Sequence, residues 1–175
     1  MEIVELSVLV LKKFKDTVER ILHVPGNYTG KVLEMTVAAD NSLTKEELSG
    51  LLPQLLKALK MHSKIFQNVR FNYVLWTSDD IITNQVCPMM SALLDSFYEN
   101  YECVKEEKHL EKLAAYLKKF HARSKLIIVL TDGTYRVGSK EELRQEMEPF
   151  LGKKLMFVVC KGEEIKIEYR NLSLS

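Results

Sequence analysis

The chain has 175 residues, 46% of them hydrophobic and 28% charged, with 25 basic and 24 acidic side chains and a formal net charge of +1. That length suits one domain able to bury roughly 70% of its unfolded surface. The mixed, balanced charge offers no field for nucleic acid or an anionic membrane.

No apolar run reaches the roughly 18–20 residues of a membrane span, and no signal-peptide layout opens the sequence. Cys87, Cys103 and Cys160 fall in no Cys/His ligand spacing. A reducing, cytoplasmic setting with free thiols is therefore expected.

Residues 3–22 carry two patterns at once. Val4, Leu6, Val8 and Val10 alternate like a strand, while Val4, Val8, Leu11, Phe14, Val18 and Ile21 or Leu22 fit a helical stripe. A short strand and then a helix from about Val10 to His23 are expected, followed by a turn at Pro25-Gly26-Asn27. Val32 to Ala39 form an apolar, β-branched run broken only by Glu34, the pattern of a strand, at 31–39, covered on both faces. An amphipathic helix follows from about Thr44, with Leu48, Leu51, Leu52, Leu55, Leu56 and Leu59 on one face. Pro53 inside it is expected to kink it.

Val69 to Trp76 alternates like a strand, Thr77 to Asp80 is read as a solvated turn, and Ile81-Ile82-Thr83 as a short returning edge strand. Pro88 is placed to open a helix on Met90, Leu93, Leu94, Phe97, Tyr98 and Tyr101. A further helix spans residues 107–121. Lys125 to Thr131 is a second buried strand, and Ser139 with Glu142 makes a capping box for a helix over residues 140–151. Leu155 to Cys160 is a third buried strand, and Ile165, Ile167 and Tyr169 alternate with charges like an edge strand.

Strands alternating with amphipathic helices predict an α/β three-layer sandwich around a mainly parallel sheet. The strands at 31–39, 125–131 and 155–160 should lie adjacent and parallel, with 69–77 on the other side of the first.

Two short motifs fall at the ends of buried strands. Asp40-Asn41-Ser42-Leu43-Thr44 has the form D-x-S-x-T on a strand-to-helix turn, and Thr131-Asp132-Gly133 closes the 125–131 strand. Ligands in open α/β sheets sit at the carboxyl ends of strands. Asp40, Ser42 and Asp132 each have an ordinary turn-forming explanation, and Thr44 with Glu47 is a capping box. Their joint occurrence at two buried-strand ends is the stronger signal.

Together these motifs resemble the von Willebrand factor type A family, whose metal-ion-dependent adhesion site combines D-x-S-x-S/T with a distant T-D-G. The likeness spans about residues 30–160 of what is expected to be a single domain, with residues 1–24 as an N-terminal strand and helix extension. It implies a non-enzymatic protein-binding module with Asp40, Ser42, Thr44 and Asp132 as metal residues. Mg²⁺ is a hard ion that takes oxygen ligands in octahedral geometry and commonly keeps waters. The partner implied is another protein, offering a carboxylate to the metal.

The family also supplies a threonine just before the helix that lies between those two loops. Here that place is read as Cys87-Pro88, and a thiol is a poor Mg²⁺ ligand. Mg²⁺ is therefore expected to be weakly held or absent, with Thr83 or Ser91 as substitutes out of position.

An enzyme reading competes with this one. D-x-S-x-T is one residue from the D-x-D-x-T of haloacid-dehalogenase-like phosphatases, and Thr131 ends a later strand as their second motif would. Ser42 stands where that chemistry needs a general-acid carboxylate, and Asp79-Asp80 precedes the Thr131 strand instead of following it. No P-loop, G-x-G-x-x-G or nucleophile elbow is present, and the four histidines are scattered.

Overall fold

The computed structural model describes residues 5–22 and 32–170. Six strands form one sheet, β1 (Leu33–Asp40), β2 (Val69–Trp76), β3 (Ile82–Cys87), β4 (Leu126–Thr131), β5 (Leu155–Lys161) and β6 (Glu164–Glu168), in the order β3-β2-β1-β4-β5-β6. The central four are parallel, and the edges β3 and β6 run antiparallel to their neighbours. The expected placement of the three apolar strands, with β2 beside β1, is what the structure has.

The pleat sorts the core into two layers. Met35, Val37 and Ala39 of β1, with Ile128, Leu130, Met156 and Val158, face α1 (Val8–Leu22) and α2 (Lys45–His62). Ala38, Val74, Trp76, Ile127, Val129 and Phe157 face α3 (Leu110–Phe120) and α4 (Lys140–Met147) on the other side. A strand buried on both faces has no need of polar alternation, which is why β1, β4 and β5 are near-continuous apolar runs. The leucine stripe of α2 is wholly buried. Six such side chains at about 1.5–3 kcal/mol each make this helix a main support of the sheet.

α1 begins at Val8, and residues 5–7 form no strand, so the helical stripe outweighs the alternation there. Val4, His23 and the expected turn at Pro25-Gly26-Asn27 lie outside the described residues. α2 runs through Pro53 as one element to His62.

Two differences from expectation bear on the site. β3 extends to Cys87 instead of ending at Thr83, its Thr83-Asn84-Gln85 stretch lying exposed along the sheet edge. The segment after Pro88 is no α-helix. It makes two 3₁₀ turns, Met89–Leu93 and Asp95–Tyr98, separated by an extended Leu94. Its buried residues Met89, Ala92 and Tyr98 fall at multiples of three, the 3₁₀ repeat, while Met90 and Leu94 of the anticipated stripe are exposed.

Candidate functional site

β1 ends at Asp40, opposite Trp76 of β2, and the chain turns at once. The Ser42 backbone N–H donates to Asp40 Oδ1 (2.9 Å), an aspartate turn closed by its own side chain. Buried Leu43 pins the turn from below. Thr44 then caps α2: its Oγ1 accepts from the Glu47 N–H (3.0 Å), and Glu47 Oε1 accepts from the Thr44 N–H (2.8 Å). Asp40, Asn41 and Ser42 are all buried.

β4 is the parallel neighbour of β1, so its following loop arrives at the same edge. Thr131 Oγ1 donates to Asp40 Oδ2 (2.7 Å) and accepts from the Gly133 N–H (3.0 Å). Asp132 Oδ1 accepts from both the backbone N–H and the hydroxyl of Thr134, at 3.1 and 2.7 Å. Burial alone would raise the Asp132 carboxyl. The Thr134 bonds and the Lys105 ammonium outweigh it and hold the group below its ordinary 3.8.

A strap, residues 101–109, crosses this edge and joins three loops. Tyr101 OH donates to Leu43 O (2.6 Å), and the Val104 N–H donates to Asn41 O (2.9 Å). Lys105 Nζ reaches Ser42 O (2.6 Å) and Asp132 Oδ2 (3.2 Å). Lys108, with 1% of its side chain exposed, is ion-paired with Asp40 Oδ1 and donates to Asn41 Oδ1 and to Ser42 Oγ (3.0 Å). Its ammonium also lies 5.6 Å from the centre of the Trp76 ring. The next residue, His109, donates its backbone N–H to Asp79 Oδ1 (2.7 Å) and places Nδ1 2.6 Å from Asp79 Oδ2. Asp79 is therefore a tether for the strap and not a freely solvated turn residue. Hydrogen bonds from Arg136 N to Lys108 O and from Leu110 N to Arg136 O fasten the strap to the loop after β4.

Of the four anticipated metal residues, Asp40 and Ser42 meet on one ammonium. Asp132 joins them through Lys105, and Thr44 is committed to the cap of α2. Cys87 and Pro88 are elsewhere: β3 runs back down the sheet, and Cys87 sits opposite Phe71 at the amino end. Thr83 is separated from β1 by the whole of β2.

With no α-helix over residues 88–101, the helix that precedes β4 is α3. The place just before it belongs to Lys108-His109. A divalent ion drawing on Asp40 Oδ1 and Ser42 Oγ would meet the Lys108 ammonium already bonded to both, so the residues as folded do not fit that ion. Sequence reasoning missed Lys108 because Glu106-Glu107-Lys108 looks like a solvated charge run. The usable signal was its place ahead of the last helix before the T-D-G strand.

No family model matches the chain, and no curated protein matches it.

Proposed function

We propose that the chain is a non-enzymatic protein-binding module of the von Willebrand factor type A kind, which meets its partner with the carboxyl edge of its sheet. The observation that carries this reading is the state of Asp40. Its side chain is 0% exposed, one oxygen is taken by Lys108 and the Ser42 N–H, and the other by the Thr131 hydroxyl. A phosphatase nucleophile has to be reached by its substrate and left free to attack. Asp40 as folded is buried and bonded at both oxygens, which favours the binding module over the hydrolase.

The resemblance is supported by the junction of the two motif loops, which a hydrogen bond ties together at adjacent parallel strands. What the edge offers to a partner is the strap and the Thr134 loop. Lys105, 61% exposed, is the cation that a partner carboxylate would reach. Free Cys87, Cys103 and Cys160 suit a reducing, cytoplasmic setting, and among the described residues no helix is long and apolar enough to cross a membrane.

Two measurements test the reading. One is capture of a partner from the native source by the wild-type chain and by Lys105→Glu. Retention of a specific partner by the wild type and its loss with Lys105→Glu is the expected result. The other is turnover of a phosphate monoester with Mg²⁺. Turnover that disappears in Asp40→Asn would replace the binding module with a hydrolase.

A further inference from the structure

We propose that Lys108 is the built-in cation of this site. Its ammonium holds the oxygens that a divalent ion would otherwise hold, so the D-x-S-x-T loop is organised without metal. Only removal of that ammonium opens a divalent-cation site.

The contact set is the first ground. Asp40 Oδ1, Asn41 Oδ1 and Ser42 Oγ come from three successive residues and converge on one nitrogen. A carboxylate, an amide oxygen and a hydroxyl are the hard donors that Mg²⁺ or Mn²⁺ selects. An ammonium satisfies the same three with its three N–H donors, because both kinds of cation seek convergent oxygen lone pairs. The chain has thus kept an oxygen cradle and filled it with its own side chain.

Charge balance is the second ground. Asp40 and Lys108 cancel inside a site closed to water, and Asp132 is already paired with Lys105. A divalent ion added to that arrangement would bring two uncompensated positive charges into a buried place, where charge is expensive unless paired. It would also have to expel the ammonium, which the Trp76 ring flanks at 5.6 Å. With Lys108 shortened, the balance reverses: Asp40 is left buried and unpaired, and the cradle then has an anion in need of a counter-charge.

Position is the third ground. The strap that carries Lys108 is held at both ends, by Tyr101 on the β1 loop and by His109 on Asp79. The ammonium is delivered by a fixed backbone and does not wander in from a flexible surface stem. Lys108 plays this part whatever partner the edge meets.

The test uses the full chain and the metals alone. Thermal midpoints are measured in chelator and in about 10 mM Mg²⁺ or Mn²⁺, and Mn²⁺ uptake is followed by the loss of its free-ion electron paramagnetic resonance signal. The wild type should show the same midpoint in both media and no uptake at about 1 mM Mn²⁺, the range of the loosest divalent sites. Lys108→Ala should melt lower, take up about one Mn²⁺ and recover part of its lost midpoint with it. Lys108→Ala/Asp40→Asn should recover nothing.

Wild-type uptake of one Mn²⁺ at sub-millimolar concentration would overturn the proposal, since cradle and ion would then coexist with the lysine. Uptake by Lys108→Ala no greater than by the wild type would overturn it equally. Should Lys108→Ala not fold, Lys108→Val keeps part of the buried apolar stem, removes the charge and leaves the oxygen cradle open. It is expected to show the same Mn²⁺-dependent rise, and its failure to do so counts against the proposal.

Discussion

Thr131 and Asp40 lie 91 positions apart in sequence and are joined by a 2.7 Å hydrogen bond between Oγ1 and Oδ2. The bond closes the seam between β1 and β4 at the point where both strands give way to loops. Thr131→Val keeps the shape but removes both the donor to Asp40 and the acceptor for the Gly133 N–H, leaving a buried carboxylate oxygen and a backbone N–H unsatisfied. A loss of about 1–3 kcal/mol is expected, read as a lower midpoint in urea denaturation with an unchanged slope. Thr131→Ser should lose much less. Equal stability of Thr131→Val and wild type would mean that the bond is not formed in solution.

The Asp40–Lys108 pair makes a sharper prediction, because neither side chain reaches water. Removing one partner of a buried pair strands the other, at about 3–5 kcal/mol, whereas replacing both by apolar groups is often near neutral. Asp40→Leu should therefore cost far more than Asp40→Leu/Lys108→Met. A double-mutant cycle by urea denaturation measures the coupling. Additive losses from the two single changes would show that the two groups do not sense each other.

Most of the frame was legible because burial on both faces writes itself into the sequence. β1, β4 and β5 have no polar face to hide, and the α2 stripe repeats across its whole length. The meeting of Asp40 with the Thr131 loop followed from parallel neighbours ending at one edge. Lys108 was not legible, since a lysine next to two glutamates looks solvated until the strap places it against β1. The segment after Pro88 misled for a related reason. Met90, Leu93, Leu94 and Phe97 satisfy a helical repeat, but Met89 and Ala92 are the buried ones, and only packing against α2 and β2 decides between the two sets. β3 was underestimated because an exposed edge imposes no alternation on Thr83, Asn84 and Gln85. The capping box at Ser139 is half formed: its Oγ accepts from Glu142 N (3.2 Å), but its own N–H goes to Glu111 Oε2 of α3 (2.5 Å), a partner that local pattern cannot name.

Gly133, the last residue of T-D-G, has φ of +80°. A side chain there costs about 1–2 kcal/mol from backbone strain alone. The added Cβ would also stand 2.8 Å from Lys161 Cε and 3.3 Å from Val159 Cγ1. The lysine stem can swing away, but Val159 belongs to β5 and cannot. Gly152 supplies the comparison, with φ of +74° and nothing within 4 Å of an added Cβ. Gly133→Ala should lose more stability than Gly152→Ala in thermal unfolding, by the part that crowding contributes. Equal losses would leave backbone strain as the whole effect.

His109 gives the strap a pH dependence whose sign can be worked out. The hydrogen bond to Asp79 raises its pKa above the ordinary 6.5, outweighing the desolvation that lowers it, with smaller help from the charges of Asp79, Glu111 and Glu107. A group whose folded pKa is raised holds its proton more tightly in the folded state. Its stabilisation is thus fully present below the unfolded value and is lost as pH rises through the folded one. Buried His121 works the other way, because burial lowers its pKa and the unfolded chain takes up the proton first as pH falls below 6.5. The total pH profile therefore mixes opposed contributions, those of the lowered Asp132 and Glu111 carboxyls included, and the comparison has to be made between variants. His109→Gln should cost more stability at about pH 5.5 than at about pH 8.5, by chemical denaturation at each pH. His121 is common to both chains and drops out of the difference. A cost independent of pH would show that the imidazole is not protonated against Asp79, and that the strap is held there by the His109 backbone N–H alone.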